Sequence, residues 1–433
     1  MGLFGTSGIR GLFNRDLVDL AFKVGLAVGK NYGNVVVGSD TRTSSDTLKH
    51  ALISGLLAAG ADCGDVGIVP TPTLALAARK YGAGVMITAS HNPPEYNGIK
   101  LLNPDGSSFV SSQQKQMEDL ISGDSIGVAP WDEIKQSGIY NGAIEQHIER
   151  ILQDFPAGLK LKVVLDCGCG AASEITPSLL ERMGCEVVTL NCYHSGFFPR
   201  GIEPTESNLG DLMKVTGESG ADLGIAHDGD ADRMMAVDER GRFIPGDKLL
   251  AIFARELGVK EVVTIIDASM AIDEMGFNIR RTRVGDTCVS EELKNGGDFG
   301  GEPSGSWIFP NVSFCPDGIY AVACIAAIAG QQKLSGLVDK IPAYPLLRGS
   351  TGSDGVAMPG LESKLMAMKP MSVSNIDGIK LSFKDGWLLV RASGTEPKIR
   401  LTAEAKNEAR ARQLYDGGLR AIKDSIQNKE REA

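Results

Sequence analysis

Residues 85–100, VMITASHNPPEYNGIK, run from an apolar, strand-like stretch into a Ser-His pair, turn through Pro93 and Pro94, and end on Lys100. A serine delivered that way stands at the carboxyl end of a strand, where open α/β sheets place their chemistry. A second segment, DGDADR at 228–233, sets Asp228, Asp230 and Asp232 at alternate positions. On an extended backbone, alternate side chains point to one side, and three carboxylates so gathered suit a hard divalent cation. Ser90 alone would equally suit a turn or a cap, and the aspartates a solvated loop. Together the two segments predict metal-assisted phosphoryl transfer through Ser90.

In that chemistry Ser90 carries the phosphoryl group, because a covalent intermediate divides one difficult transfer into two easier ones. His91 and Lys100 are the candidate general acid and base, given suitable tuning of their pKa values. Without context, Lys100 would as readily be a snorkelling surface lysine. The aspartates partly imitate a calcium EF-hand, with Glu239 at the twelfth loop position, but Arg233 stands where that loop needs glycine and the following MMAV is strand-like. A Mg2+ ion bridging Asp228, Asp230 and Asp232 to a phosphoserine would relieve their repulsion and polarise the leaving phosphoryl group. Arg233 can steady the same phosphate or close an ordinary salt bridge.

Two further segments offer contacts for the rest of a substrate. GEPSGS at 301–306 presents Glu302 and Ser304 on a glycine-flanked loop that suits sugar hydroxyls, although an ordinary Gly-Pro turn has the same composition. RASGTEPKIR at 391–400 presents Arg391, Ser393, the amides near Gly394, Thr395 and Arg400. Small residues let amides approach an anion and arginine grips it, which makes a phosphate cradle. Lys398 and Arg400 alternate along a strand, so one of them can be a solvent-facing charge. Two pattern matches are set aside. GDSIG at 123–127 follows a polar, helix-like run instead of the strand that a hydrolase elbow requires. GCGAAS at 168–173 lacks the last glycine or alanine of a dinucleotide fingerprint and is read as a tight turn. No Walker motif is present, which argues against an ATP-driven kinase.

These segments must be positioned by a scaffold, and an internal repeat describes it. An apolar strand ending near Asp, a helix, a glycine turn and a second strand recur from VVVGSD (35–40), from VVLDCG (163–168) and from VVTIIDAS (262–269). Repeated units of this kind imply parallel or mixed sheets covered by helices. Beyond about residue 345 the pattern changes to strands at 378–383, 387–393 and 398–405 followed by a charged helix, with NKEREA expected to fray. The expected architecture is three similar α/β domains with mixed sheets plus a smaller C-terminal α+β domain around a central cleft. Domains are placed at 1–157, 158–246, 247–344 and 345–433, with linkers near 156–161, 245–248 and 341–350.

Composition agrees with a globular enzyme. The 433 residues are 42 % hydrophobic and 23 % charged, ordinary globular values. A net charge of −10 gives no general support for a nucleic-acid or anionic-membrane partner, so any bound phosphate must be held by local cations and amides. No stretch is apolar enough to span a membrane and MGLFGTSGIRGLF lacks the features of a signal peptide, so a cytoplasmic location is expected. Cys63, Cys167, Cys169, Cys185, Cys192, Cys288, Cys315 and Cys324 show neither zinc-type pairs nor a disulfide framework, and most are expected to be reduced and buried.

GTSGIRG at 5–11, TASHNPPEYNGIK at 88–100, DGDADR at 228–233, VGD at 284–286, GEPSG at 301–305 and RASGTEP at 391–397 resemble the ordered motif set of the α-D-phosphohexomutase superfamily across essentially the whole chain. The resemblance implies a four-domain enzyme in which Ser90 is phosphorylated at rest and, with Asp228, Asp230 and Asp232, binds Mg2+. It implies Arg10 and Lys100 near the reacting groups, Gly285, Asp286, Glu302 and Ser304 as sugar contacts, and Arg391, Ser393, Gly394, Thr395 and Arg400 around the non-reacting phosphate. The implied reaction passes the phosphate of Ser90 to a sugar phosphate, giving a 1,6-bisphosphate that turns over and returns its other phosphate; added bisphosphate acts as activator.

Within the superfamily the sequence looks most like archaeal-type phosphoglucosamine mutases, so the expected reaction interconverts glucosamine 6-phosphate and glucosamine 1-phosphate. Phosphoglucomutase, phosphomannomutase or phosphopentomutase activity are the alternatives, and many relatives carry histidine where this chain has Ser306. A metal-dependent sugar phosphatase would use the same phosphoserine but release phosphate, whereas a mutase must exclude water. A catalytically silent sugar-phosphate binder would not need the intact Ser90 and three aspartates.

Overall fold

The computed structural model of the protein describes residues 3–5, 8–123, 126–155, 157–352, 358–392 and 398–432. Its strands form four sheets. The first has the order β1 (Ile9–Leu12), β5 (Tyr96–Leu102), β4 (Ala83–Ile87), β2 (Asn34–Ser39), β3 (Asp62–Ile68), β6 (Ser137–Ile139). The second has the order β10 (Met234–Asp238), β9 (Leu223–His227), β7 (Lys162–Asp166), β8 (Glu186–Leu190). The third has the order β12 (Asn278–Thr282), β11 (Glu261–Ile265), β13 (Phe299–Glu302), β14 (Ser306–Ile308). The fourth has the order β15 (Leu346–Gly352), β19 (Lys398–Ala405), β18 (Gly386–Ala392), β17 (Ile379–Phe383), β16 (Ser372–Ser374).

The expected repeat is present in the first two sheets, where β2 runs parallel to β3 and β7 parallel to β8 across the helices Ser45–Ala58 and Ala172–Arg182. Both sheets are mixed, because β4 with β5 and β9 with β10 are antiparallel. The third unit departs from the repeat: β11 and β12 are linked by a short 3₁₀ helix, Met270–Met275, capped by the Ser269 hydroxyl. The fourth sheet is antiparallel throughout. Half of the expected linker at 341–350 belongs to it, since Leu346–Gly352 pairs along the whole of Lys398–Glu404. The last helix, Glu408–Glu432, continues through most of the residues expected to fray; the segment has no glycine or proline to stop it.

The chain divides into two compact units, Met1–Val263 with Gly285–Lys340, and Thr264–Val284 with Ile341–Ala433. In the first, the helices Arg15–Tyr32 and Ser45–Ala58 touch through Gly25 and Gly55, where an added Cβ would lie 2.1 Å from a carbonyl of the other helix. Leu48, Leu52 and Leu56 then pack with Val35, Val37, Val85 and Ile87 on one face of the first sheet. Burial of this kind contributes roughly 1.5–3 kcal/mol per large side chain. In the second unit Leu381, Leu388, Val390, Ile399 and Leu401 pack against the helix residues Leu414 and Ile422. The eight cysteines are free thiols, six of them buried. Among the described residues no helix is long and apolar enough to cross a membrane.

Candidate active site

The wholly buried strand β4 ends at Ile87, and the chain must turn to return as the antiparallel β5. Ser90 lies in that turn with φ +52°, a left-handed conformation rare for a residue with a Cβ. Its amide donates to Thr88 Oγ1 at 2.8 Å, and its hydroxyl donates to Asp228 Oδ2 at 2.7 Å. His91 Nδ1 is 3.2 Å from the same hydroxyl. Burial, then Arg233, Arg10 and Lys100 in turn, push the His91 pKa down to about 2. The neutral imidazole is therefore the favoured form.

The three aspartates occupy the reversal between β9 and β10, which are paired from His227 opposite Met234 onward. The sequence suggested an extended segment here, but a hairpin that must reverse within DGDADR cannot stay extended, and Ala231 adopts φ +54°. The turn nonetheless gathers the carboxylates, with one oxygen from each of Asp228, Asp230 and Asp232 within 4.8 Å of the others. An added Cβ on Gly229 would lie 2.7 Å from the carbonyl of Ser90, so the acidic turn and the serine turn are in backbone contact.

Lys100 reaches this cluster from β5, where it is paired with Met86. Its ammonium donates to Asp230 Oδ2 at 2.7 Å and Asp232 Oδ2 at 2.6 Å, and it is buried, so the snorkelling alternative is excluded. Burial opposes its charge, but Asp230 and Asp232 outweigh burial and hold its pKa above the ordinary lysine range. Asp230 is correspondingly held low by Lys100 and Thr71, whereas burial and its two acidic neighbours push Asp228 up. Arg233 pairs through Nη1 with Glu203 at 2.7 Å and donates its amide to Asp228 Oδ1 at 3.2 Å. Arg10, opposite Gly98 in the β1–β5 pair, donates to Asn92 Oδ1 at 2.9 Å.

Glu302 closes β13 opposite Ser306, the first residue of β14, so the expected loop is a tight hairpin. Glu302 accepts from the Gly285 amide at 2.7 Å and from the Ser304 hydroxyl at 3.2 Å. Burial, with Asp286 next, raises its pKa to about 7. Asp286 begins the helix Asp286–Leu293, with Gly285 before it at φ +131°. In the second unit Arg391 donates to Asp377 Oδ2 at 2.9 Å and stands directly opposite Arg400 across β18 and β19. Ser393, Gly394 and Thr395 lie outside the described residues.

Several participating residues escape sequence reasoning. Thr71 donates to Asp230 Oδ2 at 2.5 Å, and Thr88, Asn92 and Glu203 each hold a neighbour of the triad or of Ser90. Arg42 is fully buried against the serine turn. The sole signal for it was a charged Asp-Thr-Arg immediately after an apolar strand.

A buried serine bonded into a convergent acidic triad that also holds a fixed ammonium has the geometry that phosphoryl transfer calls for, on linked α/β domains. The chain matches the four successive domains described for phosphoglucomutase/phosphomannomutase: the α/β/α domains I, II and III over residues 1–125, 140–241 and 245–344, and the C-terminal domain over 354–417. It belongs to that family. It is 51 % identical to a probable phosphoglucosamine mutase of Methanococcoides burtonii, covering 98 % of this chain and 100 % of the relative. It is 48 % identical to the one of Methanosarcina acetivorans, over the same shares of the two chains. Among solved structures, a phosphoglucomutase/phosphomannomutase family protein of Burkholderia thailandensis superposes with a TM-score of 0.87 at 29 % identity, covering 97 % of each chain.

Proposed function

We propose that the chain is a phosphoglucosamine mutase, interconverting glucosamine 6-phosphate and glucosamine 1-phosphate by way of a phosphorylated Ser90 and a 1,6-bisphosphate. The names of relatives matching it end to end support the reaction, and one observation carries the mechanism: the Ser90 hydroxyl hydrogen-bonded to Asp228 at 2.7 Å inside the acidic turn. The donor set fits Mg2+. Its oxygens are hard and convergent, and Asp230 Oδ1 is buried with no hydrogen-bond partner, an atom that asks for a cation. Asp228, Asp230, Asp232 and the Ser90 oxygen would hold the ion, which would supply electrostatic stabilisation to the transferring phosphoryl group.

The protein's own groups complete the scheme. Lys100, held as an ammonium by Asp230 and Asp232, stabilises negative charge developing on the transferring phosphoryl group. Arg10 and Arg233 flank the phosphate. Glu302 and Ser304 bind sugar hydroxyls, with Gly285 and Asp286 alongside. Arg391 and Arg400, directly opposite each other across β18 and β19, are assigned to the phosphate that is not reacting. Ser393, Gly394 and Thr395 are assigned to the same cradle. A cytoplasmic setting belongs to the same proposal.

The test compares kcat/KM for glucosamine 6-phosphate, glucose 1-phosphate, mannose 1-phosphate and ribose 1-phosphate, with Mg2+ and a trace of the matching bisphosphate, following isomer and free phosphate together. A clear preference for the amino sugar is expected. Equal rates on the hexoses would make the enzyme a broad hexomutase, and free phosphate without isomer would make it a phosphatase.

A further inference from the structure

Asp40 and Arg42 lie just past β2, outside the segments that supply the candidate site residues, yet they bracket Ser90. Arg42 directs all its side-chain donors inward: Nε to Asp40 Oδ2 at 3.1 Å, Nη1 to the carbonyls of Pro93 at 2.7 Å and Tyr96 at 2.9 Å, Nη2 to those of Ser90 at 2.8 Å and Asn92 at 2.6 Å. Asp40 Oδ2 also accepts from the Thr88 hydroxyl at 2.7 Å, whose oxygen in turn accepts from the Ser90 amide at 2.8 Å. The amide and the carbonyl of Ser90 are thus both tied to one buried ion pair, whose side chains are 0 % exposed.

We infer that Asp40 and Arg42 are positioning residues that hold Ser90 from both sides of its backbone in the left-handed conformation that aims its hydroxyl at the acidic turn. The inference rests on the phosphoryl-transfer reading of Ser90. A non-glycine residue at φ +52° costs on the order of 1 kcal/mol and persists only where its surroundings over-determine it. A buried ion pair is weak evidence for stability, since an apolar pair of the same volume often does as well. Only a planar fork of five donors can take four carbonyls of one loop at once; a lysine ammonium cannot. The bracket also reaches the metal-binding turn. Thr41, between the two residues, donates to the Cys169 carbonyl at 2.8 Å, and the Ala171 amide donates to the Gly229 carbonyl at 2.9 Å. The two reacting turns are thereby fixed relative to each other through Asp40–Arg42.

Arg42→Lys, Thr88→Val, Thr88→Ser, Ser90→Ala and the wild type test this. Each dephosphorylated protein is mixed with α-D-glucose 1,6-bisphosphate, Ser90 phosphorylation is followed by intact mass, and kcat, KM and thermal unfolding are measured. A displacement of about 1 Å is worth about 100-fold in rate. Arg42→Lys is therefore expected to fold, to keep KM, and to lose about that factor in kcat and in phosphorylation rate. Thr88→Val should lose about tenfold, the worth of one hydrogen bond, and Thr88→Ser should recover it. If Arg42→Lys does not fold, the Thr88 pair decides. Wild-type phosphorylation rates per folded molecule in Arg42→Lys and Thr88→Val would overturn the inference while leaving Ser90's role intact. A wild type that acquires no phosphoryl group, with an active Ser90→Ala, would overturn both.

Discussion

Thr71 holds Asp230 twice. Its amide donates to the Asp230 carbonyl at 2.9 Å and its hydroxyl to Asp230 Oδ2 at 2.5 Å, so one residue fixes both the backbone and the carboxylate of the central aspartate. Lys100 takes the same oxygen at 2.7 Å, and Oδ1 is left buried without a hydrogen-bond partner. Groups that orient a metal ligand are typically worth about 10- to 100-fold in affinity. Thr71→Val is expected to weaken Mg2+ binding by roughly that factor while Thr71→Ser does not, as measured by titration calorimetry. Equal affinities would show that Lys100 alone orients Asp230.

Ser90→Ala should leave the fold intact, because alanine is smaller and suffers no more from the left-handed conformation than serine does. Loss of a nucleophile of this type costs about 10⁴-fold or more in kcat. The expected protein unfolds near the wild-type temperature, carries no phosphate on residue 90 by mass, and shows isomerisation only at the background rate.

Glu302 links stability to pH with a defined sign. Its pKa rises from 4.5 to about 7 on folding, so between those values the folded protein holds a proton that the unfolded chain has released. Stability therefore falls as pH rises through that interval, by about 3 kcal/mol for a shift of this size. Glu302→Gln keeps an acceptor for the Gly285 amide and removes the titration. Chemical denaturation at pH 5 and pH 8 should show a smaller difference in the variant, and an unchanged difference would place the linkage elsewhere.

Ser306, the first residue of β14, is 3 % exposed and bridged to the backbone of Arg233. An imidazole there would overpack the hairpin at a cost of about 1–3 kcal/mol. Ser306→His is expected to lower the melting temperature and raise KM for the hexose phosphate; a stable variant with unchanged KM would mean that the hairpin can open to accept the ring.

The parts of this molecule that were legible in advance are those where chemistry demands particular residue types in short order. That Ser90, the three aspartates and Lys100 lie together was legible only from their joint occurrence, since each alone has an ordinary structural use. The repeat was visible in β2 and β7 because helix and strand periods change within one module. The reversal at Ala231, the strand in 346–352 and the 3₁₀ link before β12 were not, because each is decided by what the backbone must reach in three dimensions. Arg42 and Thr71 were hidden for a related reason. A buried arginine that bonds carbonyls carries no sequence period, and its partners come from positions far along the chain.

The hairpin at Glu302 is laced to the strand that follows the acidic turn: the Trp307 indole donates to the Met234 carbonyl at 2.8 Å, and the Met234 amide donates to the Gly305 carbonyl at 3.0 Å. Grafting a relative's GEPSG hairpin to change sugar preference would therefore also pull on the segment that carries Asp232. An exchange of specificity in this scaffold has to transplant β10 with the hairpin, as one cassette, or it will disturb the acidic turn while trying to retune the sugar.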